Sequence, residues 1–202
     1  MPRIPGQIDL AKREAILNAA GAVLSERGMA ASMAEVARRA GVSKQTIYNH
    51  FGSKAELVSA LSQRRTREMT APLETPEAAG HPQDALAGFA RSLLTTAVAA
   101  NSVAFMRMVI QGAADMPELA RALYEAGPRA SRARLADYLA AEHAAGRLEV
   151  PDPPQAAEFF GGMALGSYQM AGLLGADRTL DDAAIEAIAR EAAARFLRAY
   201  GR

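Results

Sequence analysis

A chain of 202 residues with no cysteine, no tryptophan and a net charge of +1 is long enough for a sizeable core, but it offers no disulfide framework, thiolate metal site or thiol nucleophile. Its polar opening lacks the apolar stretch of a signal peptide, and no apolar run reaches the roughly 18 residues of a membrane span. Charge is unevenly spread. Residues 1–70 hold 11 Lys/Arg against 6 Asp/Glu, a net +5, whereas residues 71–202 hold 12 against 16, a net −4; this suits a basic head that meets a polyanion and a body that does not. Ala, Leu, Glu and Arg dominate and strand-type alternation is absent, so the chain reads as all-α. Residues 1–8, with Pro2, Arg3 and Pro5, read as an arm. Asp9 is placed to cap a first helix of about Leu10 to Arg27, whose inner face is Ile16, Ala19, Ala20, Val23 and Leu24 and whose stop is Gly28.

The most informative stretch is Ser32 to Lys54, SMAEVARRAGVSKQTIYNHFGSK. Ser32 with Glu35 three residues on is a capping box. Met33, Val36, Ala37 and Ala40 then recur at helical spacing, and Gly41 supplies the left-handed stop. Ser43 caps a second short helix in which Ile47 and Phe51 face inward while Lys44, Gln45, Tyr48 and Asn49 face outward. Two short helices joined by a tight turn, the second polar and basic on its outer face, form a helix-turn-helix. That motif lays its second helix in the DNA major groove. Gly52 breaks the second helix and Ser53 caps the next, about Lys54 to Met69, with Leu57, Val58 and Leu61 inward. Lys54 opposes the helix dipole there, which a bound phosphate would remedy. Arg64, Arg65 and Arg67 read as a solvated, dipole-favourable last turn.

The residues AGVSKQTIYNHFGSKAELVSAL, Ala40 to Leu61, closely resemble the signature of the TetR family of transcriptional regulators. The shared pattern is Val36–Ala37, Ala40–Ser43, the variable pair Lys44–Gln45, Thr46–Ile47–Tyr48, His50–Phe51, Ser53–Lys54 and Leu57. Gln45 departs from it, standing where the family often has a small residue, commonly Gly. The resemblance implies a three-helix DNA-binding domain over residues 1–70, with its helix-turn-helix at about 33–51, and a ligand-binding and dimerisation domain over 71–202. The expected phosphate contacts are Ser32, Thr46, Tyr48, His50 and Lys54, and the expected base-edge readers are Lys44, Gln45 and Asn49.

Ala71 to Pro82 holds three prolines and a glycine and reads as the break between domains; His81 within it is expected on the surface. Helices are predicted beyond it at about 83–100, 102–113, 117–126, 128–145, 154–174 and 181–200. The run from Phe105 to Gly166 resembles the C-terminal domain of AefR-type repressors within the same family. One helix-turn-helix reads one half-site, so a second copy is expected. Phe159, Gly162, Met163, Gly166 and Met170, with Ile188, Ala192 and Phe196, form stripes suited to a dimer interface, the resemblance favouring that over burial in their own chain. Phe89, Leu93, Phe105, Met106, Val109, Tyr124, Phe160 and Tyr168 are placed to line an apolar cavity, with Thr96 and Gln111 to orient an occupant; ordinary core is the competing reading.

There is no nucleophile with a paired His, no phosphate-binding glycine loop and no metal-ligand cluster, so neither an enzyme nor a cofactor is expected. The leading expectation is a homodimeric, ligand-responsive repressor in the cytoplasm that binds double-stranded operator DNA and is released by a small, largely apolar effector. The alternative is an architectural or scaffolding DNA-binding protein without an effector.

Overall fold

The computed structural model describes residues 5–176 and 179–201, with side chains described from Leu10 onward except for Met29. Among these residues the chain is helical and contains no strand; Leu148 and Gly201 form an isolated antiparallel bridge. The helices are α1 (Pro5–Arg27), α2 (Met33–Ala40), α3 (Lys44–Phe51), α4 (Lys54–Thr70), α5 (Pro82–Val98), α6 (Ala100–Gly112), α7 (Pro117–Tyr124), α8 (Ala130–Ala144), α9 (Pro153–Leu165), α10 (Tyr168–Leu174) and α11 (Asp182–Tyr200). No single helix among them is long and apolar enough to cross a membrane.

Two compact units result, and they do not follow chain order. The first comprises residues 1–64 and 104–127, and the second comprises 65–103 and 128–202. The first unit's core joins Ile16, Leu17, Ala20, Val23 and Leu24 of α1 to Val36 and Ala37 of α2, Ile47 and Phe51 of α3, and Leu57, Val58 and Leu61 of α4. Phe105 and Val109 of α6 and Leu119 of α7 complete it. A three-helix head alone would leave part of this surface open to water, and three large side chains from later in the chain close it. Gly28 lets α6 approach closely. Its φ is +55°, and a Cβ there would overlap the Met108 side chain.

The second unit packs α11 and α9 against α5, with α8 on α9. Phe160 stands edge-on to Phe196 at 5.2 Å and 80°, beside Phe89. The carboxylate of Glu142, 1 % exposed, accepts hydrogen bonds from Arg147 at 2.6 and 2.7 Å, which satisfies a charge that would otherwise be buried alone.

Three expectations are corrected. The first helix begins at Pro5, so Asp9 lies inside it rather than at its cap; proline is tolerated in a first helical turn, where its missing N–H has no partner to lose. The arm's residues 1–4 lie outside the described residues. The stretch after α4 is not a loose linker. It forms short 3-10 turns at Ala71–Leu73 and Pro76–Ala78 that bury Leu73 and Ala78 in the second core, while His81 is exposed as expected. The single helix expected over 154–174 is two, because Gly166 adopts φ +48° and ψ −133°, a conformation closed to side-chain-bearing residues. A π-helical turn, Glu125–Arg129, joins α7 to α8.

Candidate nucleic-acid interface

The reading helix is held from three sides. Ser32 caps α2, with its Oγ accepting from Glu35 N–H at 3.2 Å and its own N–H donating to Glu35 Oε2 at 2.9 Å. The Ser32 N–H, and after it the Ser32 hydroxyl, which also donates to Glu35 Oε2 at 2.9 Å, hold the Glu35 carboxyl below the usual carboxylate range. Gly41 takes the left-handed conformation at φ +67°, and Val42 N–H returns to the Ala37 carbonyl at 3.0 Å, which turns the chain. Ser43 Oγ then accepts from Thr46 N–H at 3.0 Å and starts α3. Ile47 is fully buried and Phe51 is 3 % exposed, so α3 is fixed along its inner face. Burying two such side chains contributes on the order of 1.5–3 kcal/mol each. The Arg13 guanidinium of α1 lies 5.4 Å from the Phe51 ring centroid, a cation–π contact that closes the outer edge of this core.

What α3 then presents follows from its period. Lys44, Gln45, Tyr48 and Asn49 are exposed together, and Thr46 and His50 are half-buried at the margins. Gln45 Nε2 donates to Asn49 Oδ1 at 2.7 Å. The Thr46 hydroxyl lies 2.7 Å from Ser43 Oγ, so it belongs to the cap as well as to the surface. Ser53 Oγ accepts from Glu56 N–H at 3.1 Å and starts α4. Lys54 stands in that first turn, half-buried; burial holds its ammonium below the ordinary lysine range, partly offset by the Glu35 carboxylate. Ser32 is exposed at the start of α2. All eight expected DNA-contacting residues therefore lie on or beside the helix-turn-helix, and none is consumed by the core. The basic turn of α4 differs from expectation. Arg64 donates to Glu14 at 3.0 Å and to Asn18 at 2.8 Å, bracing α4 against α1.

The residues expected in the body fall in both units. Phe105 and Val109 belong to the first unit's core, and Phe89 and Phe160 to the second's; Leu93 packs partly against the latter. Gln111 and Tyr124 are exposed and Met106 is half-buried. Thr96 lines a cavity of about 700 Å³ in the second unit, with Arg65, Glu68 and Met69 of α4, Arg91, Ser92 and Thr95 of α5, Asn101 and Ser102 of α6, and Asp182, Ile185 and Glu186 of α11. Tyr168 lines a second, of about 230 Å³, with Val98, Val103 and Gly172. Sequence reasoning named Thr96 but missed Ser92 and Thr95, which form with it a hydroxyl stripe at i, i+3 and i+4 along α5. No group of His, Asp and Glu side chains among the described residues could hold a metal ion.

The expected interface stripes separate cleanly. Phe159, Met163 and Met170 are 56 %, 42 % and 58 % exposed, Gly162 and Gly166 lie open beside them, and Leu174 extends the face at 77 %. On α11 the outcome is the reverse. Ala192 and Phe196 are buried in their own chain and Ile188 is half-buried, because this stripe packs on α5 and α9.

A helical body carrying a capped helix-turn-helix with a polar reading face defines a DNA-binding regulator, and comparison with known proteins gives the family. Residues 16–61 match the model of bacterial regulatory proteins of the tetR family, and residues 84–202 match the AefR-like transcriptional repressor C-terminal domain. The chain belongs to the TetR family of transcriptional regulators; it is a DNA-binding protein, not an enzyme. A TetR-family regulator from Mesorhizobium loti has a similar structure, with 27 % identity and a TM-score of 0.78 over 96 % of this chain and 98 % of that one. The flavonoid-responsive regulator FrrA is 34 % identical, with a TM-score of 0.69 over 95 % of this chain and 97 % of FrrA. The transcriptional activator FasR of Mycolicibacterium smegmatis is 52 % identical over 54 residues, which is 26 % of this chain and 25 % of FasR. TetR-family regulators bind operator DNA as homodimers and respond to small molecules.

Proposed function

We propose that this chain is a homodimeric repressor of the cytoplasm that leaves a palindromic operator when a small molecule occupies its second unit. Residues 1–70 form the DNA-binding part and 71–202 the ligand-binding and dimerising part. Ser32, Thr46, Tyr48, His50 and Lys54 hold phosphates, and Lys44, Gln45 and Asn49 address base edges. The observation that carries this is the polar face of α3 projecting from a helix fixed by Ile47 and Phe51. Repression rather than activation is supported by the body, which matches a repressor domain along 84–202; the likeness to FasR, an activator, is confined to 54 residues. The exposed face of Phe159, Met163, Met170 and Leu174 offers the second copy its seat.

The sequence points to a largely apolar effector. The cavity lined by Ser92, Thr95, Thr96, Asn101 and Ser102 instead favours one that also forms hydrogen bonds, and flavonoids, to which FrrA responds, are one class to try. An occupant there would touch Arg65, Glu68 and Met69, so it would bear directly on α4, the helix that continues into the head. A coupling of about 1–3 kcal/mol would suffice to release the operator.

Fluorescence anisotropy with a palindrome selected from random duplex should show sequence-specific binding that weakens steeply as salt rises. Equal affinity for unselected duplex would replace this reading with the architectural one.

A further inference from the structure

Gln45 and Asn49 stand one turn apart on α3, both exposed, and Gln45 Nε2 donates to Asn49 Oδ1 at 2.7 Å. A glutamine that reads adenine gives one N–H to N7 and accepts the N6 amine at its oxygen. A primary amide has a second N–H on the side of the nitrogen away from that oxygen. This is the hydrogen Asn49 can take without disturbing a bidentate contact. The bond also fixes which end of the amide is oxygen. Turning the Gln45 amide over would set Oε1 against Asn49 Oδ1, two acceptors facing each other, unless Asn49 turned as well. A turned pair would present the Gln45 NH₂ outward, a donor pattern suited to guanine.

The support beneath the pair is rigid. Ser43 caps the helix, and Ile47 and Phe51 pin its inner face. A free glutamine loses considerable rotamer freedom when it docks, and one already held by a neighbour loses less. We propose that Asn49 is a positioning residue that holds the Gln45 amide in the orientation that reads adenine, so that the two specify one base pair as a unit. This deepens the assignment of Asn49 among the base-edge residues and rests on the operator-reading function above. It is specific to this chain, since a glycine at position 45 would leave Asn49 nothing to hold.

The test is base-pair preference of the full-length protein on the selected operator, measured with every single-base-pair variant. Gln45→Ala should lose about tenfold preference for adenine at one base pair. Asn49→Ala should lose most of the preference at that same pair, and the double variant should lose no more than either alone. Asn49→Asp, an acceptor that still receives the Gln45 N–H, should keep the preference while binding every sequence more weakly through repulsion by the phosphates. An Asn49→Ala effect at a different base pair, a double variant whose loss is the product of the single losses, or loss of the preference in Asn49→Asp would overturn the proposal. A wild-type protein with no preference at any pair would overturn the operator-reading function itself. Misfolding does not blur these outcomes, since position 49 is exposed and alanine is the stronger helix former; thermal melts of each variant confirm it.

Discussion

At the scale of single residues, two positions carry a cost that reveals their role. Lys54 is partly desolvated in the first turn of α4, and the Glu35 carboxylate offsets this only in part, so its folded pKa lies below its unfolded one. The protonated form therefore costs stability at neutral pH, and that cost fades only as pH climbs towards the lysine range. Lys54→Gln should hold or raise Tm while weakening binding to every DNA sequence and reducing the salt slope by about one. A lower Tm with unchanged DNA affinity would make Lys54 a structural residue. Gly28 is the converse case, a residue chosen for what it lacks. Gly28→Ala meets the left-handed backbone, while the flexible end of Met108 can swing aside, and should destabilise by about 1–2 kcal/mol in denaturant melts. Adding Met108→Ala should relieve the overlap while leaving the backbone cost and opening space of its own, so the double variant should stay below wild type.

At the scale of elements, local chemistry decided what could be read ahead. The helix-turn-helix was legible because its caps, stop and inner stripe all lie within a few residues of one another: Ser32 with Glu35, Gly41, Ser43, Ile47 with Phe51. The break between α9 and α10 was not. Gly161, Gly162 and Gly166 fall in one apolar run, and only the packed fold shows that Gly166 alone leaves the helical region. Cavity residues were less legible still, because a helix's apolar stripe says that it is buried but not against what. Phe105 and Phe89 look alike in sequence and enter different cores. The same ambiguity separated α9–α10 from α11, and a pair of variants tests the outcome. Phe159→Asp, on the open face, should leave the monomer's melt near wild type while shifting sedimentation from dimer to monomer. Phe196→Ala, in the closed core, should cost about 3–5 kcal/mol of stability. Unchanged sedimentation of Phe159→Asp would remove this face from the dimer.

For the whole molecule, the division of labour is uneven. The contact surface proposed for the head is nearly complete within residues 32–54, whereas its foundation is not. Phe105, Val109 and Leu119 arrive after about forty residues spent in the other unit, and the chain passes from one unit to the other within α4, within α6 and at the turn before α8. This bears on how such a protein can be rebuilt. A chimera joined at one point after α4 would carry the recognition residues onto a new body but leave their underside without its three closing side chains. Recombination that respects this architecture must move two separated segments together, 1–64 and 104–127. If α3 reads the operator as proposed, its specificity should thus be easy to alter by point substitution there and hard to transplant whole.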